Sequence, residues 1–248
     1  MSYDTHGYDN QARNFAKFAE TSFSWLYIET PAMDEALAGY YERGDEIQVL
    51  DVGCGAGRTI RHLIKNGVAP ENITGLDPSV NMIELAAEEL PQTVSLVMGD
   101  AAEMPYFSDE SFDLVVANMV LHAMDSRKAE AAIKRIGEVL APGGDFFLID
   151  SNPKPEAQKN VWATAHSPWG TDLTVFNHDM EPFLREAAPR HGLVCTDVKL
   201  LGTSEDGLEA NPAEYARYDA GKFRLSAMLH KPEAALEADG ATEEQPTA

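Results

Sequence analysis

The chain has 248 residues, 44% of them hydrophobic and 24% charged, which is enough for one α/β domain with an appendage and too few to demand two full domains. Its 41 acidic residues against 19 basic ones give a net charge of −22. That balance argues against nucleic acid and against an anionic membrane surface as partners, because both are held by Lys and Arg. The acids are spread along the chain, which reads as solvation suited to a high-salt cytoplasm; attraction for a cationic substrate or partner is the alternative. Cys54 and Cys195 lack ligand spacing, so neither a disulfide framework nor a metal site is expected. The longest nearly apolar run, Leu114 to Met124, is too short to span a bilayer, and the polar N-terminus is unlike a secretion signal. A cytoplasmic protein without stable membrane insertion is expected; the oligomeric state is not legible.

Residues 1–44 are rich in aromatics, among them Tyr8 and Tyr27, and read as an N-terminal helical cap with helices over Tyr8 to Glu20 and Pro31 to Tyr41. Ile47 to Val52 suits a buried strand. It stops at Gly53, Gly55 and Gly57, and Ile60, Leu63 and Ile64 follow at helical spacing. Glycines in a strand-to-helix turn permit positive φ and let a ligand approach the backbone, while the helix start aims free N–H groups at it. Ile73 to Asp77 is a second strand ending in an acid. Asp77 stands roughly 20 residues after the turn, where a nucleotide-binding α/β unit places the carboxylate for the ribose hydroxyls. Ser79 is the better candidate for the next helix cap.

Val94 to Met98 and Phe112 to Asn118 are the third and fourth strands, and Arg127 to Leu140 is an amphipathic helix. It is stopped by Pro142-Gly143-Gly144 ahead of a fifth strand, Phe146 to Asp150. Strands alternating with helices imply a parallel sheet with right-handed crossovers. Pro153, Pro155, Pro168 and Gly170 break up the next segment, which carries Trp162, His166, Trp169 and Phe176, either an aromatic wall for an acceptor or a small satellite core. His178 to Arg190 reads as a helix, and Leu193 to Leu201 and Phe223 to His230 as strands joined by a connection over Gly202 to Gly221. An acidic, disordered tail is expected over 232–248.

The third glycine falls one residue too early for the dinucleotide fingerprint, giving D-x-G-x-G-x-G from Asp51 to Gly57. With the Gly99-Asp100-Ala101 step and the Pro-Gly-Gly stop, the stretch from about residue 45 to 150 resembles the class I, Rossmann-like S-adenosylmethionine-dependent methyltransferases. It is similar in particular to the group containing the ubiquinone and menaquinone C-methyltransferases. The resemblance implies a mostly parallel seven-stranded α/β sheet with an antiparallel terminal strand and helices on both faces. The methyltransferase domain would occupy residues 45–231, with a substrate-shaping insertion at about 151–180. It further implies S-adenosylmethionine as cofactor, S-adenosylhomocysteine as product, no metal, and a small-molecule acceptor. Asp51, Gly53, Cys54, Gly55 and Gly57 would surround the methionine portion. Asp77 and Pro78 would meet the ribose, Met82 the adenosine, Asp100 and Ala101 the adenine, and Asn118 and Met119 would contribute mainly through their backbone.

Tyr8, Tyr27, His122, Trp162, His166, Trp169 and Phe176 are candidates for the acceptor pocket. His122 is also the candidate general base, because an imidazole titrates near ~6.5. Two other readings stand beside this one: a non-catalytic cofactor-binding regulatory module and a nicotinamide-dependent oxidoreductase.

Overall fold

The computed structural model describes residues 11–104, 106–154, 156–166 and 172–233. Tyr8, Trp169 and the tail beyond Glu233 lie outside the described residues. The strands are β1 (Val49–Val52), β2 (Ile73–Asp77), β3 (Ser95–Met98), β4 (Phe112–Asn118), β5 (Leu140–Ser151), β6 (Trp162–His166), β7 (Asp172–Phe176), β8 (Val194–Leu201) and β9 (Arg224–His230). The helices are α1 (Ala12–Thr21), α2 (Thr30–Tyr41), α3 (Arg58–Lys65), α4 (Val80–Glu89), α5 (Ser126–Val139), α6 (Met180–Arg190), α7 (Glu205–Ala210) and α8 (Pro212–Gly221). A π-helical turn, Trp25–Glu29, leads into α2.

Seven strands form one sheet in the order β3-β2-β1-β4-β5-β9-β8. β1 to β5 are mutually parallel, and β9 runs antiparallel to both of its neighbours. The antiparallel strand is therefore the last of the described strands and one place in from the sheet edge. Alternation along the strands builds two cores, as a pleated sheet buried on both faces requires. Leu50, Val52, Val115 and Phe146 pack with Ile133 of α5 and Leu184 of α6. Val49, Val116 and Phe147 pack on the opposite face with Leu37 of α2 and Ile60 and Leu63 of α3. Helices thus cover both faces of the sheet.

Ser79 caps α4 by accepting from the Met82 N–H at 3.2 Å, and Asp125 caps α5 by accepting from Lys128 at 2.9 Å. Three elements differ from the sequence reading. β5 begins at Leu140 rather than Phe146, because Leu140 leaves the helix in extended geometry and pairs with Phe112 across a register shift. The broken segment after β5 contains a hairpin, β6 against β7. The connection from Gly202 to Gly221 folds into α7 and α8, with Asn211 capping α8 and Pro212 in its first turn. Neither helix carries much apolar periodicity. They dock on the N-terminal segment, where Phe23 stacks on Tyr218 at 5.6 Å and the Tyr27 carbonyl accepts from Ser204. Among the described residues no helix is long and apolar enough to cross a membrane.

Candidate functional site

β1 and β4 lie side by side, so the glycine turn after β1 and the Asn118-Met119 step after β4 open onto one crevice at the carboxyl ends of the strands. That is where open parallel sheets bind ligands. A cavity of about 570 Å³ lies there, within the range of small-molecule pockets. Its walls come from α1, the glycine turn, the end of β4, the β6–β7 hairpin, α8 and the start of β9.

Two glycines account for the shape of the turn. Gly53 has φ +68°, and a Cβ there would stand 2.6 Å from Val120 Cγ2. Gly55 has φ +53°, and a Cβ there would meet nothing within 4 Å, so it would project into open space that a ligand can use. Asp77 closes the turn from β2: one carboxylate oxygen accepts from the Gly55 N–H at 2.9 Å and the other from Ser79 at 2.8 Å.

Of the residues expected to meet a cofactor, Gly53, Cys54, Gly55, Asp77, Pro78 and Met82 line the cavity, as do Asn118 and Met119. Met119 adopts φ +62°, a strained position for a side chain with a Cβ, and its N–H donates to the Ile149 carbonyl at 2.8 Å. Asp100 and Ala101 line a small adjoining cavity that shares Gly53, Pro78 and Val120 with the large one. The Asp100 carboxylate meets Lys128 Nζ at 2.5 Å and accepts from the Ala102 N–H. Gly57 precedes α3 without lining the cavity, and Asp51 is likewise not part of the wall. Asp51 is buried beneath the turn, one oxygen has no hydrogen-bond partner, and burial together with Asp77 pushes its carboxyl well above the usual range. Burial also raises the Cys54 thiol.

The aromatic expectations need correction. Tyr27 packs on Phe23 at 5.0 Å, Trp162 packs edge-on against Phe176 at 5.2 Å, and none of Tyr27, Trp162 and Phe176 reaches the cavity. Trp162 and Phe176 form the satellite pair, because they sit opposite each other in the hairpin register. His166 does line the cavity, on an exposed side chain whose Nδ1 lies 2.6 Å from Asp172.

Two functional-looking groups escaped the sequence reading. Glu29, at the end of the π-helical turn, is 1% exposed. Arg58 Nη2 and Asn118 Nδ2 donate to its Oε2, each at 3.1 Å, and Arg224 Nε donates to Oε1 at 3.2 Å. Burial opposes its ionisation, but the two guanidinium groups outweigh that and hold its carboxyl below the ordinary range. Arg58 also lies over the Trp25 ring at 4.6 Å. Asn118 spends its Nδ2 on Glu29, and its buried Oδ1 has no partner. The second group is Asp150, at the end of β5. Its Oδ1 lies 2.9 Å from His122 Nδ1, and its Oδ2 accepts from the N–H groups of Val120 and Leu121. Burial raises the Asp150 carboxyl, while the adjacent His122 ring and the Ser151 N–H hold it down, so that it stays below its usual value. His178 steadies the same loop from beneath: its Nε2 donates to the carbonyls of Leu121 and Met124.

These shifts set an acid dependence. Glu29 and Asp150 titrate below their unfolded values, so their stabilising contribution is present above about pH 4 and is lost as pH falls through the depressed folded values. Asp51 has the opposite sign, and its contribution improves on acidification from its raised value down to about 4. Thermal melts at fixed high salt should therefore hold up on the acid side of neutrality and fall steeply below about pH 4. Glu29→Gln should flatten that fall; an identical acid slope in the variant would refute the assignment.

Residues 49–144 match the family described as methyltransferase domain. A methyltransferase of Synechocystis is 35% identical over 139 residues, covering 52% of this chain and 63% of that protein. A demethylmenaquinone methyltransferase of Staphylococcus aureus is 35% identical over 120 residues, covering 47% of this chain and 48% of that protein. The chain thus spans less than two thirds of the length of either relative. Among solved structures, an S-adenosylmethionine-dependent methyltransferase from Mesorhizobium loti superposes with a TM-score of 0.64 at 18% identity, over 85% of this chain and 99% of that one.

Proposed function

The chain belongs to the class I, Rossmann-like methyltransferases, and from that premise we propose that it transfers the methyl group of S-adenosylmethionine to a small-molecule acceptor by in-line displacement. S-adenosylhomocysteine would be the product. The observation that carries the reading is one cavity joining the glycine turn and Asp77 to the His122–Asp150 pair. The residues present suit the cofactor. Gly55 leaves room for close approach, the orphaned Asn118 Oδ1 is a buried acceptor matched to an ammonium donor, and Asp77 offers acceptors to two ribose hydroxyls. Asp100 and Ala101, which line the small adjoining cavity, would meet the adenine. When bound, the cofactor supplies a methyl group activated on a sulfonium.

The chain's own part is alignment and proton removal. Asp150 engages Nδ1 of His122, which leaves Nε2 as the nitrogen able to take a proton from an acceptor hydroxyl or amine. His122 is 6% exposed, so its orientation is held by packing as well as by the carboxylate. The reading is tested by following labelled methyl transfer from S-adenosylmethionine into host-cell small molecules. Cofactor binding without transfer of label would favour the non-catalytic module instead, and protection by NADH rather than S-adenosylmethionine would favour an oxidoreductase.

His122→Gln should lower kcat by about 10²-fold or more while leaving cofactor affinity intact. Asp150 acts through His122 as a positioning residue, so Asp150→Asn should lower kcat without raising KM. A loss below tenfold in His122→Gln would mean that alignment alone accelerates transfer.

A further inference from the structure

We propose that the acceptor is an anion, a small organic acid with an apolar body whose charge is held chiefly by Lys154 and Arg224. This rests on the methyl-transfer reading above. In a chain with 41 acids and 19 bases, the cavity wall carries five cations, Arg58, Arg61, Lys154, Arg217 and Arg224, against two carboxylates, Glu29 and Asp77. The sign of the wall is thus opposite to the sign of the molecule. The acids solvate the outside, and the cavity concentrates positive charge.

The cations divide by position and by partner. Arg58 and Arg61 belong to α3, beside the glycine turn, and their charges are met by Glu29 and Glu20. Lys154 after β5, Arg217 on α8 and Arg224 on β9 complete the set, with Arg224 sharing Glu29 with Arg58. Arg217 pairs with Glu214 at 3.1 Å on an exposed helix. Arg224 spends Nε on Glu29 and Nη1 on the Phe223 carbonyl, and its Nη2 has no acceptor among the described residues. Lys154 has no carboxylate partner among the described residues. Its ammonium lies 5.5 Å from the Phe223 ring, in a segment pinned to the same place by the Asn152 N–H donating to the Phe223 carbonyl. A cationic acceptor would meet like charge here. An anionic one finds an unmatched ammonium and a free guanidinium edge, with Leu173, Val175 and Phe223 to cover its apolar part.

The test uses the full chain loaded with S-adenosylhomocysteine, so that charges beside the glycine turn are already engaged, and calorimetric titration with benzoate, phenyl phosphate and the neutral isostere benzamide. Benzoate or phenyl phosphate should bind at least about tenfold more tightly than benzamide, the ratio of those two anions deciding between carboxylate and phosphate. Because Lys154 is exposed, Lys154→Gln should erase most of that preference rather than abolish binding, with the product's affinity unchanged. Equal binding of benzamide, or a preference that survives in both Lys154→Gln and Lys154→Gln/Arg224→Gln, would overturn the proposal. Failure of methyl transfer with the anion preference intact would count against the methyl-transfer reading instead.

Discussion

Glu29→Ala should cost about 3–5 kcal/mol of folding stability, the usual penalty for removing one partner of a buried ion pair and leaving charge uncompensated. Glu29 is the single carboxylate that joins four separate parts of the chain: its own π-helical turn, Arg58 beside the glycine turn, Asn118 at the end of β4 and Arg224 at the start of β9. Without it, two guanidinium groups with only 16% and 17% of their side-chain surface exposed face each other across the gap. For a chain of this size the loss corresponds to roughly 6–20 °C in the melting midpoint. Combining Glu29→Leu with Arg58→Met and Arg224→Met should recover much of it, because an apolar replacement of the whole cluster strands no charge. A fall of under about 1 kcal/mol in Glu29→Ala, measured by urea unfolding, would show that solvent reaches the cluster and that the N-terminal segment is not tied to the sheet through it.

Asp77→Ala is expected to weaken S-adenosylmethionine binding by roughly 10²-fold to 10⁴-fold. Two hydrogen bonds to a charged acceptor are each worth about 1.5–3 kcal/mol, and every 1.4 kcal/mol is about tenfold. Part of the loss comes from the turn itself, since the same carboxylate accepts from the Gly55 and Ser79 N–H groups and fixes the height of the turn above β2. Asp77→Asn keeps one acceptor oxygen and should fall between wild type and alanine. Calorimetric titration separates the outcomes. If affinity drops less than tenfold in the alanine variant, the ribose is held elsewhere and Asp77 is a turn-closing residue alone.

The legible part of this protein is the part written in short-range pattern. β1, β2 and β4 are largely apolar because interior parallel strands bury both faces, and β1 and β2 end at Gly53 and Asp77. Ser79 could be preferred over Asp77 as the cap of α4 because a cap is a contact three residues long, and it accepts from Met82 as such a cap does. The same reasoning failed for Gly202 to Gly221, where the Asn211-Pro212 signal was present but the segment folds by docking on Phe23 and Tyr27 rather than by burying a periodic face of its own.

What the sequence by itself determined is the strand–turn–helix order, the glycine turn with Asp77 beside it, and the excess of acid over base. Only the tertiary structure decided which side chains meet. Glu29 pairs with residues 29, 89 and 195 positions away, and His122 with a carboxylate 28 positions away. It also turned Trp162 and Phe176 onto each other and brought Lys154, Arg217 and Arg224 to one cavity wall. The physical reason is range: dihedral preference, capping and alternation act over a few residues and leave their mark in local order. Charge pairing and cavity shape depend on which strand ends the sheet order sets side by side, and nothing in the neighbourhood of Glu29 or Lys154 along the chain carries that information.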